Sequence, residues 1–339
     1  MSAPRGERHS PLVIAVRAAG PVAVAAALFI LFLAFRGPGN RNTAALAAGS
    51  GTARLGTPAS AGESGTGRMP TSAEVAGRSA SMSAQPVPTR SPTVALHPDP
   101  LAGAAASFVS QRLGTVLVAV YDVQTGQTWR LGQGPPQPAA SVVKLNILEA
   151  LLAQQGPGLS AVNRSLAESM IEDSDNDAAT SLWYAAGGAA GLQTYNRAAG
   201  LTDTTPSSCV ECAGFAWPGW GLTTTDPDDQ ITLLKELIQP GTLLTSAERD
   251  YALSLLENVT PSQRWGISGG VPAHVTVALK NGWLPLDAAD TDWQINSVGW
   301  ISGDGSDYLM AVLSTGNPTE QYGIDTIDQL AAIVWNAMR

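Results

Sequence analysis

Hydrophobic and polar positions divide this chain into parts before any residue chemistry is considered. Residues 18–35 run from Ala18 to Phe35 without a charge between Arg17 and Arg36, a length just sufficient to cross a bilayer as a helix. Arg5, Arg8 and Arg17 precede it, so residues 1–17 read as a cytoplasmic n-region and 18–36 as a signal anchor or signal peptide. The uninterrupted span favours an uncleaved anchor, while Ala45-Leu46-Ala47 offers a late cleavage site. From 37 to 100, Ala, Gly, Ser, Thr and Pro dominate; such a segment cannot bury enough surface to fold and is expected to be a disordered linker.

Periodicity returns at Leu101. A helix is predicted around Leu101–Gln111, then a hairpin of Thr115–Asp122 and Gln127–Leu131 joined through Gln124-Thr125-Gly126. A long helical region is expected from Ser141 to about Glu257. Strands follow near Val275–Lys280, Trp293–Ile301 and Tyr308–Leu313, and an amphipathic helix over Ile324–Met338 closes the chain. The pattern predicts one domain at 101–339: an α/β lobe of five strands with terminal helices, and an all-α lobe from the middle of the chain.

Charge changes the picture by exclusion. The first hundred residues carry nine arginines against four acids, and the remainder ten basic against twenty-four acidic groups. An acidic domain of this kind is not a nucleic-acid binder, because phosphates require clustered Lys and Arg. His9, His97 and His274 are scattered, so neither a Ser-His-Asp triad nor a zinc cluster is expected, and no cofactor or metal is called for. Cys209 and Cys212 form a C-x-x-C that reads as a local disulfide in an oxidising compartment. No cysteine follows the apolar span, which argues against a lipoprotein anchor.

Candidate chemistry rests on the lysines, of which there are only three. Lys144 closes Ser141-Val142-Val143-Lys144 and Lys280 opens Lys280-Asn281-Gly282, with Ser174-Asp175-Asn176 between them. If Ser141 begins a helix, Lys144 lies one turn on, on the same face, with its amine near the hydroxyl. A serine hydroxyl is a weak nucleophile until a base takes its proton, and a lysine serves as base when burial or a nearby positive charge lowers its pKa. Lys280 is a candidate for that charge, and the helix N-terminus can direct a backbone N–H at the oxyanion. Singly, each motif has a plain structural reading: a surface lysine, an N-cap, and a strand end with its turn. Their joint occurrence in this order points to a serine acyl-enzyme site.

With these motifs the chain from about Leu101 to Arg339 resembles the class A β-lactamase-like, penicillin-binding serine hydrolases, particularly exported actinobacterial ones. Gly221-Leu222-Thr223-Thr224-Thr225-Asp226-Pro227, followed by Gln230-Ile231-Thr232-Leu233-Leu234, is similar to the family's threonine-rich turn and next helix. The resemblance implies Ser141 as nucleophile, Lys144 as general base and Ser174 as proton relay to the leaving nitrogen. It implies Asn176 on the substrate amide, Lys280 as electrostatic clamp, Asn281 in place of a hydroxyl residue, and the Trp283 N–H, beside Gly282, at the oxyanion. Arg264 is a further candidate substrate contact, or else a structural ion-pair residue.

Two departures bear on mechanism. Ser141 and Ser174 are 33 positions apart, shorter than is usual in class A enzymes. Glu211, the only glutamate in the window where such enzymes keep a deacylating base, is followed four residues later by Phe215 rather than asparagine. It is therefore either that base or a surface carboxylate. The expectation is a monomeric serine hydrolase acylated by β-lactams. A cell-wall D-alanyl-D-alanine peptidase is the nearest rival, and a non-catalytic wall-binding surface protein the alternative of another class. The expected location is the cell membrane with an extracytoplasmic catalytic domain, or secretion if the signal is cleaved.

Overall fold

The computed structural model describes residues 96–156 and 158–339. The predicted n-region, anchor and nearly all of the linker lie outside the described residues. Among the described residues no helix is long and apolar enough to cross a membrane.

Helix α1 (Ala104–Val109) leads into strands β1 (Thr115–Asp122) and β2 (Thr128–Leu131), the hairpin that the alternation predicts. Short strand β3 (Gln137–Pro138) and a 3-10 turn over Ala140–Val142 introduce helices α2 (Val143–Gln155), α3 (Ala161–Glu172), α4 (Asn176–Ala185) and α5 (Gly188–Ala199). Short strand β4 (Thr224–Thr225) pairs with β3, and helices α6 (Pro227–Ile238) and α7 (Ser246–Glu257) complete the helical lobe. Strands β5 (Thr276–Pro285), β6 (Trp293–Gly303) and β7 (Ser306–Asn317) and helix α8 (Glu320–Ala337) finish the chain. The five-stranded sheet is antiparallel, in the order β2-β1-β7-β6-β5.

Side-chain alternation gives the sheet two apolar faces. Val116, Val118 and Val120 of β1 and Tyr308, Met310 and Val312 of β7 pack with Ile327, Leu330 and Val334 of α8. Ala119, Leu309 and Ala311 face the other way, into the core of the helical lobe. That core is centred on α2, whose residues from Val143 to Leu152 are all buried. A helix apolar nearly all round belongs inside a protein, and this one carries its second residue, Lys144, into the interior.

Three sequence expectations are corrected. The α2 helix starts at Val143, so Ser141 sits in the 3-10 turn before it. The region from Ser141 to Glu257 is not continuously helical: between Gly200 and Asp226 the chain forms a 3-10 turn at Gly219–Leu222, the two residues of β4 and a bridge from Thr205 to Thr224. Lys280 does not end a strand, because β5 continues to Pro285 through full pairing with β6, for example Gly282 opposite Asn296.

Candidate active site

The segment before Ser141 is held from two sides. Ala139 N–H donates to Thr223 O (2.7 Å), while the Nδ2 of buried Asn296, on β6, donates to Pro138 O and Ala139 O (2.9 Å each). Gln294 Nε2 donates to Asn296 Oδ1 and to Gln137 Oε1, which fixes that amide's orientation. Ala140 is then forced to φ 49°, an unfavourable region for a residue with a Cβ. Against this turn lies Gly282, where a Cβ would stand 2.6 Å from Ser141 N and 2.7 Å from Val142 N. The glycine is needed because β5 passes directly over the backbone of Ser141 and Val142.

Lys144 Nζ, buried, donates to Ser174 O (2.6 Å), Ser174 Oγ (3.0 Å) and Asn176 Oδ1 (2.8 Å). Its partners are therefore in the Ser174 loop and not the Ser141 hydroxyl. Lys280 Nζ, also buried, donates to the same Ser174 Oγ (3.0 Å) and to Asn281 O (2.9 Å). Ser174 takes φ 58° to reach between the two amines. Asp175, rather than Ser174, caps α4 by accepting from Ala178 N–H (2.7 Å). Burial, then the Lys280 charge, lowers the Lys144 pKa to about 6, with Asp175 opposing; burial lowers Lys280 to about 7. The Trp220 ring, 5.1 Å from Lys144 Nζ, shields that amine on the roof side.

The open side of this cluster is a pocket with about 480 Å³ of empty space, lined by Ser141, Asp173, Ser174, Asn176, Gln263, Trp283 and the aromatic roof of Trp217 and Trp220, among others. It brings together Ser141, Ser174, Asn176 and Trp283 from the sequence-derived set, with Lys144 and Lys280 hydrogen-bonded behind Ser174.

Three other residues of that set go elsewhere. Asn281 is fully buried on the opposite face of β5, and its Nδ2 donates to Gln263 O (2.7 Å) and Trp265 O (3.0 Å). It secures the segment entering β5 and does not line the pocket. Arg264 is exposed and donates to Glu257 O (2.8 Å). Glu211 is exposed and lines a separate hollow with Asp177, Phe215 and Trp217. Cys209 and Cys212 are joined as a disulfide, and Gly219 passes so close to both sulfurs that a Cβ there would clash.

Sequence reasoning missed Gln263, Asp173, Trp217 and Trp220 as pocket residues, and Asn296 as support for the turn before Ser141. Asp173 adjoins the Ser-Asp-Asn motif, and the two tryptophans cluster in Trp217-Pro218-Gly219-Trp220 just ahead of the threonine-rich turn, which is a usable signal. Gln263 and Asn296 carried none.

The model of the Beta-lactamase enzyme family matches residues 152–338, and this chain belongs to that family. "Putative lipoprotein LppW" of Mycobacterium tuberculosis is 30% identical over 237 residues, covering 67% of this chain and 72% of the relative, and its Mycobacterium bovis counterpart matches equally. Among solved structures, a β-lactamase from Chitinophaga pinensis superposes with a TM-score of 0.60 at 21% identity, over 69% of this chain and 97% of that one. The TLA-1 extended-spectrum β-lactamase gives 0.58 at 17% identity, over 68% and 95%. A PBP-A mutant in an acyl-enzyme complex with penicillin G gives 0.56 at 22%, over 68% and 93%. The fold is that of the class A β-lactamases and their penicillin-binding relatives.

Proposed function

We propose that this protein is an exported serine hydrolase that forms an acyl-enzyme on Ser141 with β-lactams or related peptide amides. The observation that carries the reading is the shared Ser174 hydroxyl between two buried amines, one with its pKa lowered to about 6. At neutral pH Lys144 is largely an uncharged amine, able to take a proton from Ser141 once substrate fills the pocket and reorganises its hydrogen bonds. Ser141 Oγ then bonds to the substrate carbonyl carbon while the C–N bond breaks. The proton passes from Lys144 through Ser174 to the departing nitrogen, and Lys280 stabilises the negative charge nearby. The Ser141 and Trp283 N–H groups are the proposed oxyanion donors. Asn176 holds the substrate amide.

Release of the acyl group requires an activated water, and here one observation favours the peptidase-like alternative over a β-lactamase. Glu211 does not line the Ser141 pocket; the one carboxylate that does, Asp173, is exposed. We therefore infer slow deacylation, as in a penicillin-binding D-alanyl peptidase. Export follows from the charged, then apolar, N-terminal sequence and from the lipoprotein name of the mycobacterial relative. In this chain the only two cysteines are joined to each other, so the proposed attachment is through the apolar span.

The test is time-resolved intact mass of the full chain with penicillin G, beside Ser141→Ala. A persistent mass gain in the parent, absent from Ser141→Ala, supports the reading. Rapid decay of the adduct replaces it with a β-lactamase, and no adduct with no drug consumed removes it.

A further inference from the structure

Trp220 takes no part in the steps above, although it stands beside the proposed base. It lines the pocket but is only 2% exposed, and its ring centroid lies 5.1 Å from Lys144 Nζ. Lys144 itself is sealed from the pocket: between its amine and that space stand Ser174, Asn176 and the Trp220 ring.

The ring is held in this place from both sides. Trp220 Nε1 donates to Thr180 Oγ1 (3.0 Å), and that hydroxyl donates in turn to Asn176 O (2.9 Å), at the start of α4. Trp220 O accepts from Thr223 Oγ1 (2.7 Å) and Thr223 N–H (3.1 Å), and Thr223 O accepts from Ala139 N–H, just before the Ser141 turn. One indole is thereby keyed both to the loop that carries the acceptors of Lys144 and to the segment that leads to Ser141.

We propose that Trp220 is a positioning residue for acylation: its ring closes the pocket side of the Lys144 amine to water and so keeps that amine able to take the Ser141 proton. This role deepens the acylation reading and rests on it. Of the three partners of Lys144 Nζ, Ser174 O and Asn176 Oδ1 only accept, whereas the Ser174 hydroxyl can also donate. An uncharged Lys144 therefore loses no contact, because its lone pair accepts from Ser174 Oγ, to which Lys280 donates. The charged form is held back by the hydration that burial removes and by Lys280 on β5, with Asp175 opposing. The Gly219–Leu222 turn brings no titratable group; α2 adds only Glu149, which pairs with Tyr195, and Asp173 and Asp177, before and within α4, are exposed. The ring acts in two opposed ways, since its π face attracts a cation while its bulk displaces water. Displaced water wins, because burial leads the lowering of the Lys144 pKa to about 6.

The experiment uses the full-length protein with isotope-labelled lysine Cε, since three lysines give three resonances and Lys144→Met identifies one of them. Their pH titrations are followed by NMR in the parent, Trp220→Phe and Trp220→Ala, beside the pH profile of Ser141 acylation by penicillin G read as intact mass. Trp220→Ala should raise the Lys144 midpoint by about one unit or more as water reaches the amine. The Lys280 midpoint should not rise, and the acid limb of acylation should move with Lys144. Trp220→Phe keeps the ring and loses only the donation to Thr180, so its Lys144 midpoint should stay within about half a unit of the parent's. If Trp220→Ala lacks a cooperative thermal transition, Trp220→Gln takes its place with the same expectation. An unchanged or lowered Lys144 midpoint in the opened variant, a rise shared equally by Lys280, or an equal rise in Trp220→Phe overturns the role. If no adduct forms in the parent, the acylation reading fails, and the lysine titration by itself decides whether Trp220 keeps water from Lys144.

Discussion

Lys144 and Ser174, thirty positions apart, are joined twice: one amine reaches both the backbone oxygen, at 2.6 Å, and the hydroxyl, at 3.0 Å, of the same serine. The double bond of contacts fixes the Ser174 hydroxyl where Lys280 also reaches it. In the proposed reaction, a proton leaving Ser141 through Lys144 has a preset route to the departing group.

This relationship sets the pH dependence. Lys144 must be neutral to act as base, so acylation should rise as pH passes about 6; Lys280 must be charged to support the anion, so acylation should fall above about 7. The second-order acylation constant should follow a narrow bell whose limbs belong to the coupled pair. A stopped-flow profile from pH 5 to 9 that stays flat across this window counts against the assignment.

Lys144→Met should abolish acylation and stabilise the fold. The folded-state pKa lies below that of the unfolded lysine, so the native protein is penalised as pH falls from about 10.5 through about 6, and the penalty is constant below that. The variant's advantage in thermal midpoint should be large at pH 6 and shrink toward pH 10. An advantage that does not change with pH would mean that Lys144 is not titrating as a buried amine.

Glu149 tests the same linkage with opposite sign. It is fully buried and accepts from Tyr195 OH (2.8 Å), and burial raises its pKa well above the carboxylate range, with that hydrogen bond opposing. Its folded form holds a proton that the unfolded chain loses above about 4.5, so stability falls as pH rises beyond that point. Glu149→Gln should match the parent below pH 4 and exceed it at pH 7. Chemical denaturation at the two pH values checks this.

Gly282→Ala should separate activity from stability. The added methyl meets backbone at Ser141 N and Val142 N, which cannot swing aside as a side chain would. The nucleophile turn must shift, and displacements of about 1 Å at reacting groups cost on the order of a hundredfold in rate. Acylation should drop by that order while the thermal transition moves by less than the loss of a buried core side chain.

Replacing both cysteines by alanine should cost at most ~2 kcal/mol, because the crosslink between Cys209 and Cys212 closes a very short loop. The larger effect should fall on the roof, since Gly219 packs against the sulfurs between Trp217 and Trp220. Thermal unfolding with and without reductant measures the first, and KM for a penicillin the second.

Much of this was legible without coordinates. The alternation of Val116, Val118 and Val120 specifies a strand with one face on α8, because pleating leaves no other choice. The apolar run after Ser141 specifies an interior helix, and the motifs around Ser141, Lys144, Ser174 and Lys280 in a lysine-poor chain mark residues that the fold brings together. Only the tertiary structure decided which way neighbouring side chains turn. Asn281 follows Lys280, but the strand's two-residue period sends it to the opposite face, where it holds Gln263 and Trp265. Gln263 reaches the pocket from a 3-10 turn, and the Asn296 amide reaches Ala139 from 157 positions away, through long-range packing that no local pattern records. Glu211 is placed outside the pocket by a loop stapled at Cys209 and Cys212. Local periodicity fixes which face a residue takes within its own element. Which elements meet at a pocket depends on long-range packing, and that determined the depressed amines and the placement of Glu211 outside the pocket.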